Sequence, residues 1–288
     1  MDEKEIILIL TYNCNLNCKY CPTKKVDFKT NLKIIKKLKS LLCPTENYLI
    51  KFFGGEPLLE FEHIKKIISS YPKNVRFQLT TNTVLLDFEK LQFLLENDVE
   101  TRISIDGESE FQELNRGYLS KKIFGKIDKI LKIDKEKKII VNQVISPNTA
   151  EMFSKNFMFL YKLGFRRFNF LPAYYNIWSK IQILSFISET NKLIPILKKL
   201  NVEIINKSIQ NKDYLFNFGL VIDCDGKIYN SNAIMINEYF DKKEQFYLGE
   251  ISQINSFEDL DFNKKSRIAQ NKTNFVLDRI LNKFIENL

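Results

Sequence analysis

Six times in the first 180 residues an apolar run of strand length gives way to a segment of helical periodicity. Strands are expected at 5–11, 47–53, 75–81, 101–106, 138–146 and 166–171. Amphipathic helices are expected near 28–42, 59–70, 87–97, 119–134, 149–163 and 183–199. A chain alternating in this way builds parallel strands with right-handed crossovers, since a hairpin cannot return a strand in parallel. Periodicity alone leaves a flat doubly wound sheet and a curved barrel equally open. In both, ligands gather at the carboxyl ends of the strands, so chemistry is sought there.

The end of the first strand is the richest. Residues 11–22 read TYNCNLNCKYCP, with Cys14, Cys18 and Cys21 in a C-x3-C-x2-C spacing. Three thiolates on one loop grip a soft metal centre, and iron–sulfur clusters and zinc select thiolate. A closed zinc site or a self-contained cluster normally takes a fourth protein ligand. Elsewhere the chain offers only Cys43, Cys224 and His63, none at a ligand-like spacing. Three ligands without a fourth point to a cluster with one open iron. A zinc knuckle or an electron-transfer scaffold is the plainer alternative.

With Tyr20 ahead of the last cysteine, C-x3-C-x-Tyr-C resembles the signature of the radical S-adenosylmethionine (SAM) enzymes. The resemblance implies one [4Fe-4S] cluster held by Cys14, Cys18 and Cys21. Its open iron is chelated by SAM, which is cleaved reductively to a 5′-deoxyadenosyl radical. It also selects the fold: an α/β partial (β/α)6 TIM-type barrel. A reductant such as flavodoxin or ferredoxin is implied as electron donor.

Further motifs fall at the expected strand ends. Gly54-Gly55-Glu56-Pro57 begins 33 residues after Cys21. Its glycines let backbone approach a ligand closely, and the segment resembles the one that meets the SAM amino group through Glu56 or nearby carbonyls. After strand three, Asn82 is either a turn residue or faces ribose or substrate; Thr83 stands where the family often has glycine. Ser104-Ile105-Asp106-Gly107 followed by Arg116 resembles a further family segment. In it Ser104 points to SAM, Asp106 sets the turn or meets ribose, and Arg116 pairs the SAM carboxylate with its planar fork. Of Asn142 and Gln143 in strand five, one amide faces the cavity or bonds a neighbouring loop. Leu171 in strand six is expected near the adenine, with Tyr20 as a further cofactor contact. Asn82, Gln143 and Tyr175 are the candidates for catalytic groups, and Tyr174, Tyr175 and Trp178 form an aromatic rim.

From about residue 200 the pattern changes. Residues 216–232 alternate around Asp225-Gly226, a hairpin signal, and LGEI follows at 248–251. Helices are expected near 256–270 and 274–286. This order resembles the SPASM or twitch extension of peptide- and protein-modifying radical SAM enzymes. Phe216 and Ser231 occupy the auxiliary-cluster cysteine places and Cys224 stands alone, so a second cluster is not expected. The implied organisation is a barrel core at 1–182, a connecting helix and linker at 183–213, and a small, degenerate α+β extension at 214–288.

Composition narrows the setting. No apolar run approaches the ~18 residues of a membrane span, and with the first strand following MDEK directly neither a signal peptide nor a separate leader-binding domain is expected. Five cysteines, three of them clustered, fit a reducing, cytoplasmic setting rather than a disulfide framework. Lys and Arg total 44 against 35 Asp and Glu, a net +9, but the lysines are scattered at helical spacing as a solvated face. A nucleic-acid partner is left open without being favoured. The expected activity is hydrogen abstraction from a peptide or protein, the alternative being modification of RNA or a small metabolite.

Overall fold

The computed structural model describes residues 3–209, 218–261 and 272–288. Strands β1 (Lys4–Thr11), β2 (Tyr48–Gly54), β3 (Val75–Thr81), β4 (Glu100–Ser104), β5 (Ile140–Ile145) and β6 (Arg167–Pro172) lie in chain order, each parallel to the next. This is the expected partial barrel. A two-residue strand, β7 (Glu203–Ile204), continues it beyond β6.

Helices α1 (Leu32–Leu41), α2 (Phe61–Ser70), α3 (Phe88–Glu96), α5 (Ile127–Ile133) and α6 (Phe153–Leu163) join the strands. Their starts are written locally. Asn31 caps α1 by accepting from the amides of Lys33 and Ile34, and Asp87 caps α3 through Lys90, each contributing about 1 kcal/mol. α7 (Lys180–Leu197) begins on a capping box between Ser179 and Gln182.

Period-two alternation assigns the two faces of the sheet. Ile6, Leu8 and Leu10 of β1, Ile50 and Phe52 of β2, Phe77 and Leu79 of β3 and Phe168 and Phe170 of β6 share one buried cluster with helix residues such as Ile34, Leu38, Ile64 and Phe157. The opposite, concave face carries Ile7 and Ile9 on β1 but Lys51, Gln78, Arg102, Asn142 and Asn169 on the strands that follow. A closed barrel fills this space with branched aliphatics; here polar side chains stand among a few, such as Leu49 and Ile140.

The C-terminal region joins the same sheet. β8 (Phe218–Ile222) pairs parallel with β1, and β9 (Lys227–Ser231) and β10 (Tyr247–Glu250) follow antiparallel, giving the order β10-β9-β8-β1-β2-β3-β4-β5-β6-β7. The extension is thus hydrogen-bonded to the barrel edge. A second buried cluster fastens it to the concave face: Ile7, Ile9 and Tyr12 pack with Val221, Tyr229, Ile234, Met235 and Phe246. At the opposite edge α9 (Lys272–Glu286) seats Phe284 against Phe153 and Phe170.

Several boundaries differ from expectation. The first helix starts at Leu32 because residues 28–30 bond the end of β1. The helix expected at 119–134 is a 3-10 turn at Tyr118–Ile123 followed by α5, and α4 (Ser109–Arg116) precedes it unannounced. α4 buries Gln112, Asn115 and Arg116 rather than an apolar stripe, so hydrophobic periodicity could not reveal it. Of the helix expected at 256–270, a short turn at Phe257–Asp259 is present, and 262–270, like Phe216, lies outside the described residues. No helix among the described residues is long and apolar enough to cross a membrane.

Candidate active site

The cysteine loop leaves β1 and is pinned at its root. The Tyr12 amide donates to the Phe28 carbonyl at 2.9 Å and Thr30 to Leu10 at 2.8 Å, so the loop closes on itself. Cys14, Cys18 and Cys21 are all half-buried free thiols along it. Among the described residues no three His, Cys, Asp or Glu side chains are gathered tightly enough for a single metal ion. A four-iron cube spreads its thiolates over different irons, and three thiols without a fourth donor suit it.

Burial raises the Cys14 thiol and pushes Cys18 up to about 11, with the Arg116 charge pulling Cys18 back down. Burial thus disfavours the thiolate form of both, and binding of a metal centre would have to expel their protons. Asn82 turns its amide toward the Cys14 sulfur at 3.7 Å while donating to Asn15 Oδ1 at 2.7 Å.

Gly54 and Gly55 make a close approach within the chain itself. A Cβ at Gly54 would stand 2.2 Å from the Thr11 carbonyl oxygen, and one at Gly55 2.2 Å from that of Asn13. The close approach is to the cysteine loop itself: Gly55 donates to Thr11 at 2.8 Å and Glu56 to Asn13 at 2.9 Å. The Glu56 carboxylate, 1% exposed, accepts from the Leu58 amide, the Thr81 hydroxyl and the Asn82 amide. Its oxygens bind the ends of β2 and β3 together, leaving the neighbouring carbonyls as the acceptors a ligand ammonium could reach. Burial still lifts its pKa, against the three hydrogen bonds and Arg116.

Asp106 is the hub of the mouth. Its Oδ2 accepts from Tyr20 Oη at 2.9 Å, Asn115 Nδ2 at 3.1 Å and Arg116 Nε at 3.1 Å. Its Oδ1 accepts from Arg116 Nη2 at 2.8 Å and the Val144 amide at 3.2 Å. Burial opposes the Arg116 charge, but Asp106 outweighs it and keeps the guanidinium protonated. The Tyr20 phenol is raised, first by its own burial. Arg116 thus presents two of its donors to Asp106 and lies over the Tyr20 ring, its central carbon 5.3 Å from the centroid. Gln112 and Asn115, which the sequence reading missed, complete the hub; Gln112 accepts from the Asp106 amide at 2.8 Å.

Ser104 ends β4 on the concave face and is buried, and Leu171 faces the same side from β6, half-buried. Of the two β5 amides it is Asn142 that faces inward. Gln143 shares the outer face with Phe170 and donates to the Asp106 carbonyl at 3.1 Å, which sets it apart from the other catalytic candidates. Tyr175 adopts a left-handed φ of 62°, stacks edge-on to Tyr239 and takes the Asn274 side chain on its amide at 2.7 Å. It thereby ties the rim to the C-terminal region. Beside it, a cavity of about 410 Å³ opens between Tyr20, Asn115, Ser146, Tyr175 and Asn176.

Where the extension departs from an auxiliary-cluster pattern, ordinary chemistry fills the place. Ser231 is fully buried and caps the next turn by accepting from the Ala233 amide. The Cys224 thiol is buried against the Ile9 carbonyl at 3.4 Å, and burial raises its pKa.

Comparison with known proteins agrees with this geometry. Residues 8–156 match the model of the radical SAM superfamily. A cysteine-type anaerobic sulfatase-maturating enzyme of Clostridium novyi is 29% identical over 56% of this chain and 48% of its own length. The radical SAM cyclopropyl synthase TigE of Paramaledivibacter caminithermalis is 26% identical over 81% of this chain and 51% of its own. The chain therefore spans about half the length of these curated relatives. The solved structure of native anSMEcpe with bound AdoMet and Kp18Cys peptide superposes with a TM-score of 0.70 at 20% identity, covering 89% of this chain and 80% of that one. With its family model matching more than half of its residues, this chain belongs to the radical SAM superfamily, whose enzymes work with a [4Fe-4S] cluster and SAM.

Proposed function

We propose that this enzyme modifies a peptide or protein. When bound, the cluster and SAM supply reductive cleavage of SAM to a 5′-deoxyadenosyl radical that takes a hydrogen atom from the substrate. Cys14, Cys18 and Cys21 would hold the cluster. Tyr20, Asp106 and Arg116 would order the mouth, with Arg116 offering its remaining edge to the SAM carboxylate and Ser104 and Leu171 flanking the nucleoside. The Tyr12–Ile9–Val221 packing keeps water from the loop's inner side.

The observation that carries this reading is that the likeness to the sulfatase-maturating enzyme and to TigE is joined by an extension of the peptide-modifying type, β8–β10, built into the barrel sheet. The test uses extract from cells grown in deuterated medium. Reconstituted enzyme, SAM and reductant are added to the extract and 5′-deoxyadenosine is analysed by mass. Deuterium should enter it from the peptide and protein fraction, and protease treatment should abolish the transfer. Transfer that survives protease but is lost to nuclease would replace this reading with RNA modification.

A further inference from the structure

The concave face contains buried amides with capacity to spare. Register places Ser104, Asn142 and Asn169 in one row across β4, β5 and β6. They are 8%, 6% and 5% exposed. Asn169 Nδ2 donates to Asn142 Oδ1 at 3.0 Å, the one hydrogen bond that either side chain makes among the described residues. Each amide carries two donor hydrogens and an acceptor oxygen. The pair therefore keeps an unused acceptor on Asn169 and unused donors on both residues, and exchanging O for N in both amides leaves the same surplus. Deeper on the same face, Gln78 is 7% exposed and its Oε1 has no partner. Gln78 Oε1 is sealed from solvent, a state rarely left unmatched in a native protein, whereas the free atoms of the asparagine pair keep contact with solvent and so face space that a ligand can fill.

Three further facts bear on what would match them. The row lies at the level of the cysteine loop: carried one residue beyond Thr81–Ile103, the β3–β4 register aligns Ser104 with Asn82, whose amide faces the Cys14 sulfur. The cations that the strands place on this face are paired, Lys51 with Glu5, Arg102 with Glu100 and Arg167 with Glu203, each at 2.7 Å, so they leave little charge to offer an anion. Three strands at ~4.8 Å spacing also make the row roughly 10 Å long, the span of about three extended residues.

We infer that the Asn142–Asn169 pair is a recognition site for the main-chain amide of an extended peptide. A peptide unit presents one donor and one acceptor, the complement of what the pair leaves free. This inference rests on the peptide reading above and specifies it: the substrate is gripped by backbone, next to the cysteine loop, without selection of its side chains at that point.

The test reads binding rather than turnover. Holoenzyme carrying 15N-labelled asparagine is titrated with N-methylacetamide, with methyl acetate as the matching ester, and with sodium acetate, while side-chain NH2 signals are followed. The amide should shift the Asn142 and Asn169 signals saturably, and the ester should bind roughly five- to tenfold more weakly for the loss of one hydrogen bond. Asn142→Leu and Asn169→Leu assign the signals and should remove the response at unchanged iron content; Asn142→Ser and Asn169→Ser serve if the leucines do not fold. Equal affinity for amide and ester, a response to acetate alone, or no saturable response at either asparagine would each overturn the inference. A failure of peptide modification would instead appear in the deuterium assay and leave this titration standing.

Discussion

Each end of the cysteine loop carries a tyrosine bound to a buried aspartate and a cation, and the two groups are built differently. At the distal end, Tyr20 meets Asp106 and Arg116, all from the barrel. At the proximal end, Tyr12 Oη donates to Asp223 Oδ2 at 3.1 Å, and Lys243 Nζ lies 2.7 Å from the same oxygen and 3.0 Å from Tyr12. Both of those partners come from the extension. Arg116 binds its carboxylate with two nitrogens and borders the cavity region; Lys243 is a point charge set over the Phe240 ring at 4.3 Å, within aromatic packing. The first group has the fork that recognises carboxylate, the second only the means to anchor. The extension also pairs with the chain just after Cys21: Lys24 donates to Met235 at 2.7 Å and Asn237 to Pro22 at 2.8 Å. The extension thus secures both flanks of the loop, while the Tyr20–Asp106–Arg116 group proposed for the cofactor belongs to the barrel alone.

The strongest challenge to this division is removal of everything after residue 209. The truncated chain would expose Ile7, Ile9 and Tyr12, strip β1 of its β8 partner on one edge and lose the Phe284 packing. We expect it to lose both its fold and its iron, measured by circular dichroism and iron content. Full retention of iron would reduce the extension to a dispensable substrate dock. Next in size is Asp106→Asn, which leaves Arg116 buried without its counter-charge; about 3–5 kcal/mol of stability should be lost in denaturant titration. Arg116→Ala should weaken SAM binding by roughly 1.5–3 kcal/mol, the worth of a charged hydrogen bond. Unchanged affinity by calorimetry would remove Arg116 from the cofactor site.

Much of this was legible before the fold. The six strands, the cysteine trio on the loop after β1 and the strand-end motifs follow from period, spacing and resemblance. The hub around Asp106 was only half legible, because α4 buries Gln112, Asn115 and Arg116, residues that count as surface in any hydrophobic pattern. Gly54 and Gly55 were visible as points of close approach, but their partner is backbone of the neighbouring loop, which sequence does not display. The Tyr12–Asp223–Lys243 group was not legible at all. Its members are 211 and 20 positions apart, and an isolated lysine among 44 Lys and Arg residues carries no signal.

The smallest expected effect sharpens the comparison most. If the proximal group only anchors, Lys243→Met and Asp223→Asn should lower stability without altering SAM affinity. Asp223 is 2% exposed while the Lys243 side chain retains 16%, so solvent screens the cation in part. Loss of either partner should therefore cost about 2 kcal/mol, below the full penalty of a wholly buried pair. The double variant should cost less than the sum of the two, because neither charge is then left uncompensated. Iron retention against a chelator should fall in step with stability, and Lys243→Arg should restore most of both. Cys224→Ala, in the same apolar surroundings, should leave iron content unchanged. A Lys243→Met enzyme of normal stability but weakened SAM binding would show that the extension reaches into the cofactor site, and the division between anchoring and chemistry would no longer stand.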